Sequence, residues 1–130
     1  MKTPAELRFA MTDEWVKIEG NIATVGVSDY AQDSLSDVVF FEAVVSEGDE
    51  IKARQQIATL ESVKAAADIN APVSGKVIAV NEDLASTPET VNSDPYGDGW
   101  MIKIEMSAPE ELENLMDASG YDVYVEGRSH

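Results

Sequence analysis

Period-two alternation is the feature that most narrows the folds open to this chain. In EWVKIEGNIATVGVS, residues 14–28, Val16 and Ile18 share one face of an extended segment, and Gly20-Asn21 supplies a turn. Ala23, Val25 and Val27 then share one face of the return. A helix would scatter these positions around its circumference, so the segment is predicted to be a β-hairpin. The same period recurs in WMIKIEM, which aligns Trp100, Ile102, Ile104 and Met106. Shorter strands are predicted at EIKA, QIATLE, AADINA and VSGKVIAVN, and DVVFFEAVV reads as a mostly buried strand because it is apolar on both faces. Helices fall at the edges. Asp29 reads as an N-cap with Gln32 three residues on and a stop near Ser36, and STPETVN holds a short turn of helix. Ser107 and Glu110 have capping-box spacing before Leu112, Leu115 and Met116, with Gly120 as the stop. The fold class is mainly β, with short peripheral helices and a C-terminal helix.

Composition removes whole classes of function. The 130 residues include no cysteine, which excludes disulfides, thiolate metal sites and a cysteine nucleophile. The single histidine, His130, closes GRSH, and residues 127–130 are set aside as a tag remnant or tail, leaving 1–126 as one domain. No histidine is then left for a Ser-His-Asp arrangement or a typical zinc site. A carboxylate-only site stays open among the 25 acids, but they are spread along the chain as on a solvated surface, so no catalytic residue and no metal ligand is assigned and the chain is read as a non-enzyme. A net charge of -16, from 25 acidic and 9 basic residues, repels nucleic acid and anionic membranes. It favours basic protein partners, although solubility or adaptation to high salt accounts for it equally. No segment approaches the ~20 apolar residues of a membrane span. MKTPAELRFAMTDEW lacks an apolar leader and carries Glu6, Asp13 and Glu14, so a cytoplasmic location is expected, or a mitochondrial one if a transit peptide is missing. Trp15 and Trp100 read as strand-packing residues, and Gly97 and Gly99 as turn residues whose flanking aspartates would repel a phosphate.

One lysine stands out against this acidity. Lys64 lies in LESVKAAADINAPVSG, between two short predicted strands, where EGDEIKARQQIATLE before it and APVSGKVIAVNEDLA after it form faintly similar halves. The tip, ESVKA, has no Gly, Pro, Asn or Asp, so a type I turn is expected in place of a mirror-image one. Such a lysine is exposed, and the alanines that follow leave its amine open to a large partner. An enzyme that modifies lysine needs this clearance, although a solvated lysine on its own needs no such explanation.

Four blocks in order, DEWVKIEGNIATVGVSDYAQDSL, EGDEI, ESVKAAAD with APVSGKV, and VNSDPYGDGWMIKI, resemble the H-protein family of the glycine cleavage system. The resemblance runs from about Asp13 to Met116. It implies a barrel-sandwich hybrid of two small antiparallel sheets with the lysine at a hairpin turn. It implies lipoic acid joined to Lys64 as N6-lipoyllysine, with Glu61, Ser62, Val63 and Ala65 completing the lipoylation motif. The implied role is a carrier that receives an aminomethyl group from glycine decarboxylase (P-protein) as the lipoyl disulfide is reduced. The aminomethyltransferase (T-protein) then removes the methylene, and dihydrolipoyl dehydrogenase (L-protein) reoxidises the dithiol. A lipoate ligase or an octanoyl/lipoyl transferase would attach the group.

The resemblance also implies that Glu14, Ser34 and Asp68 line the cleft that shelters the arm, in a monomeric protein. This sequence departs from the family pattern at Asp13, Tyr30 and Ser34, where histidines are frequent, and at Arg54, which replaces a common turn glycine. FFEAVVSEG lacks the usual proline and is one residue longer. Two other roles fit the same residues: an H-like carrier that relays lipoyl groups to other enzymes, and an acidic interaction domain with no modification at all.

Overall fold

The computed structural model describes residues 2–128; His130, the residue that suggested a tag, lies outside them. β1 (Arg8–Phe9), β2 (Glu14–Glu19) and β3 (Ile22–Val27) lead into α1 (Asp29–Leu35) and β4 (Val38–Ala43). β5 (Glu50–Ile51), β6 (Gln56–Ser62), β7 (Ala66–Asn70) and β8 (Gly75–Val80) follow, then the short helices α2 (Asp83–Ser86) and α3 (Thr90–Ser93). β9 (Ile102–Met106), a 3-10 helix (Pro109–Asn114) and α4 (Ala118–Arg128) complete the order. The helix α4 runs two residues past 126, the domain limit expected from sequence.

The strands form a six-stranded sheet in the order β1-β2-β3-β9-β8-β5 and a three-stranded sheet β4-β6-β7, antiparallel throughout. The predicted hairpin is β2-β3, closed by Glu19 opposite Ile22 with positive φ at Gly20 alone, the pattern of a type II′ turn. Its alternation explains the packing between the sheets. Val16, Val25, Val77, Ile102 and Ile104 on one sheet meet Phe41, Ile57, Leu60 and Ile69 on the other, all buried.

The opposite face of β2 is also covered. Trp15 packs with Leu7, Phe9, Tyr121 and Val125 in a second cluster beneath α4, where the Phe9 and Tyr121 rings stack 4.5 Å apart. Gly26 faces Trp15 across the hairpin, and a Cβ there would lie 2.7 Å from the indole.

Three expectations are corrected. The cap of α1 is Ser28, whose hydroxyl accepts the Ala31 N–H at 3.1 Å; Asp29 is the first helical residue and binds Gln32 instead. Two consecutive capping residues leave the choice to the strand that precedes them. In β4 only Val38 and Phe41 are buried, because a bulge between Val38 and Phe40 interrupts the alternation. The helix predicted after Ser107 is divided. Leu115 is extended, Met116 pairs with Phe9, and a new helix starts at Ala118, just after Asp117, whose Oδ1 accepts the Gly120 N–H at 2.8 Å. Gly120 therefore opens α4, where it was expected to close a helix. The docking of Met116 on β1 overrides the local helix signal.

Candidate functional site

Lys64 sits at the turn between β6 and β7, beyond the last paired residues Glu61 and Ala66. Ser62 builds this turn almost alone. Its N–H donates to the Ala65 carbonyl at 2.7 Å, and its hydroxyl oxygen accepts the N–H of Ala65 at 3.0 Å and of Lys64 at 3.3 Å. No residue of the turn takes positive φ, in keeping with the absence of glycine and asparagine. Val63, Lys64 and Ala65 are exposed, as is Glu61, and the Lys64 amine has no hydrogen-bond or ion-pair partner among the described residues.

The turn is anchored from one side. The Val63 N–H donates to the Asp37 carbonyl at 3.1 Å, and Asp37 is fixed between Ser36 and Val38 by a single side chain of α3. Asn92 accepts the Val38 N–H at 2.8 Å and donates to the Ser36 carbonyl at 2.8 Å and to Gln32 at 3.0 Å. Sequence reasoning missed Asn92, since no local pattern marks an asparagine that serves backbone 54 residues away. Ser34 lies exposed in the last turn of α1, whereas Asp68 is on β7 and Glu14 on β2, so the structure does not bring it together with them.

Along β7 the side chains of Ala66, Asp68 and Asn70 alternate with the buried Ile69, so Asp68 shares the outer face. It is exposed and accepts from Gln56 at 3.1 Å. At the far end the Asn70 N–H donates to Glu14 at 3.0 Å, about 13 Å along β7 from Ala66 at about 3.3 Å per residue. Glu14 also accepts from the Thr12 hydroxyl. It is 1% exposed and helps to line a cavity of about 320 Å³ with Thr12, Arg54, Asn70, Glu111 and Leu115.

Burial pushes the Glu14 carboxyl up to about 7 against the opposing pull of hydrogen bonds from Thr12, the Asn70 N–H and its own backbone, and the neighbouring Asp13 adds to the rise. Of the lining residues, sequence reasoning missed Thr12, which lies in the turn just before β2, and Glu111. Glu111 is held by Ser74, whose N–H and hydroxyl donate to its carboxylate at 2.7 and 2.8 Å. Arg54 takes φ 75 in the turn before β6, the left-handed conformation that a glycine adopts without strain.

The geometry is thus an exposed amine on a braced turn, joined by one strand to a buried carboxylate in a cavity. The family model described as glycine cleavage H-protein matches residues 7–128. The glycine cleavage system H protein of Alteromonas mediterranea is 52% identical over 92% of both chains, and that of Xylella fastidiosa is 50% identical over 98% of this chain and 97% of its own. The crystal structure of a glycine cleavage system H protein from Mycobacterium marinum superposes with a TM-score of 0.83 at 28% identity, covering 98% of this chain and 99% of that one. A braced hairpin turn in a two-sheet fold, matched over nearly the whole chain, places this protein in the glycine cleavage H-protein family.

Proposed function

We propose that this chain is the lipoyl-carrying shuttle of a glycine cleavage system and that Lys64 is its attachment point. The observation that carries the reading is the turn itself. Ser62 satisfies the backbone locally, which leaves the Lys64 amine free of partners, with only small side chains at Ala65, Ala66 and Ala67 behind it. A lipoyl group fits this site: its acyl carbon needs an unhindered amine, and the chain offers no thiol to compete for the dithiolane. When attached, that group supplies the disulfide and thiol chemistry that the chain lacks.

The chain's own residues then present and shelter. Asp68 lies partway along β7 and Glu14 at its end, so a protonated amine brought to the cavity meets a carboxylate. Near pH 7 Glu14 is partly protonated, and the incoming positive charge favours its ionised form. Ser34, exposed on α1, is not among the residues that line the cavity. The partners in this reading are glycine decarboxylase, the aminomethyltransferase, dihydrolipoyl dehydrogenase and a lipoate ligase or octanoyl/lipoyl transferase, acting on a monomer in the cytoplasm. No helix among the described residues is long and apolar enough to cross a membrane.

Lipoate ligase, ATP and lipoate should add one lipoyl group, mapped to Lys64 by peptide mass, and Lys64→Arg should stay unmodified with an unchanged Tm. An exposed turn residue contributes little to stability. The lipoylated protein should then support exchange of carbon dioxide into glycine with the decarboxylase. No modification under conditions that lipoylate a known acceptor domain overturns the carrier reading. Normal lipoylation without exchange favours a lipoyl relay to other enzymes.

A further inference from the structure

The outer face of β4 carries an apolar surface that the fold does not need. A regular strand would send one of any two adjacent side chains inward, yet the bulge between Val38 and Phe40 turns both Val39 and Phe40 out, 56% and 40% exposed. β4 is an edge strand, and Val38 pairs with Ser62 of the lysine turn. Val63, 67% exposed, is bonded to Asp37 at the start of the same strand. Three of the large exposed apolar side chains therefore gather around Lys64, where chance would scatter them over the surface. An open groove of about 760 Å³ continues from Phe40, and its charged residues are Glu42, Glu47 and Glu82, with no basic side chain.

We infer that Val39, Phe40 and Val63 form the seat of the enzyme that acylates Lys64, with the acidic groove receiving basic side chains of that enzyme. The inference rests on the reading of Lys64 as the acylated residue. Geometry selects the occupant. An enzyme that forms the amide must bring its acyl carbon into bonding distance of Nζ, so its surface covers the turn and the strand beside it. Enzymes that react with the dithiolane meet it at the far end of the arm, so their reacting groups do not have to reach Nζ. In the acylation by a ligase, Nζ bonds to the lipoyl carbonyl carbon and the C–O bond to adenylate breaks. AMP leaves with the bonding pair, and the nitrogen gives up its surplus protons to a base.

The test measures lipoylation of the unmodified protein by lipoate ligase, ATP and lipoate, followed by intact mass. Phe40→Ser and Val39→Ser should each lower kcat/KM about tenfold, mainly through KM, as expected of an exposed anchor in an interface. Phe40→Leu should recover most of the rate, and Ile78→Ser, at an exposed position of β8, should leave it unchanged. Melting temperatures within about 2 °C of the parent separate docking from unfolding. Lipoylation of Phe40→Ser and Val39→Ser at parental kcat/KM overturns this proposal alone. Failure of the parent to be lipoylated overturns the Lys64 reading and the proposal together. Variants that are lipoylated normally but fail only in glycine exchange show that the surface seats a different enzyme, and that also overturns it.

Discussion

Glu14 is a carboxyl that the fold makes expensive to ionise, because burial removes its water and the hydrogen bonds from Thr12, Asn70 and its own backbone offset only part of the loss. The native chain keeps its proton up to about pH 7, whereas an unfolded chain releases it near its ordinary 4.5. Between those values the native state binds more protons, so this residue's contribution to stability falls as pH rises and levels off above about 7. The loss amounts to ~3 kcal/mol at most. Glu14→Gln should therefore gain stability relative to the parent from pH 5 to pH 8, measured by urea unfolding at each pH; a difference that stays constant across that range would sink the assignment. Lys64 and Glu14 differ in how far each could be read. The Lys64 turn is made by residues within three positions, Ser62 to Ala65, so its exposure was legible in ESVKA. Glu14 is buried by contacts from Asn70 and from the Glu111 and Leu115 segment, far away in sequence, and its burial was not.

At the scale of elements, the strands after β1 and a C-terminal helix were legible, but where that helix begins was not, for a physical reason. Alternation over five or six residues registers a strand locally, as in β2, β3 and β9, whereas α4 is defined by what it grips. Only Tyr121 and Val125 of α4 are buried, too few to mark a face. Its polar contacts hold the loop before β2: Tyr124 donates to the Met11 carbonyl at 2.9 Å, and Tyr121 donates to Asp13 at 2.9 Å while sharing a hydrogen bond with Ser28. Arg128 forks onto Asp13 at 2.5 and 3.1 Å and lies over the rings of Tyr30 and Tyr124. Asp13 has φ 81, so the fork holds an aspartate in a conformation that most residues avoid. The guanidinium is partly solvated, which limits the pair to about 1 kcal/mol. Arg128→Ala should lower Tm by roughly 3–5 °C. In hydrogen exchange, amides of α4 and of the loop before Glu14 should lose protection together. Unchanged exchange in that loop would show that α4 does not brace it.

At the scale of the whole molecule, the charge acts on folding and on association with opposite signs. The net charge is -16, yet the Arg128–Asp13 pair is the only salt bridge among the described residues. The acids are thus mostly unpaired and repel one another in the compact state more than in the expanded one. Raising NaCl from about 0.05 to about 0.5 M shortens the screening length from roughly 14 to roughly 4 Å, below the spacing of most of these charges. Tm should rise, on the order of 5 °C, and then flatten, because screening saturates whereas salt exclusion from the surface keeps growing with concentration. Over the same range, lipoylation at low substrate should slow, since an acidic surface around Lys64 attracts a basic enzyme only while the field reaches it. Scanning calorimetry and initial rates in the same salt series check both halves. A Tm that falls alongside the rate would mean that local ion pairing, and not long-range repulsion, governs this surface.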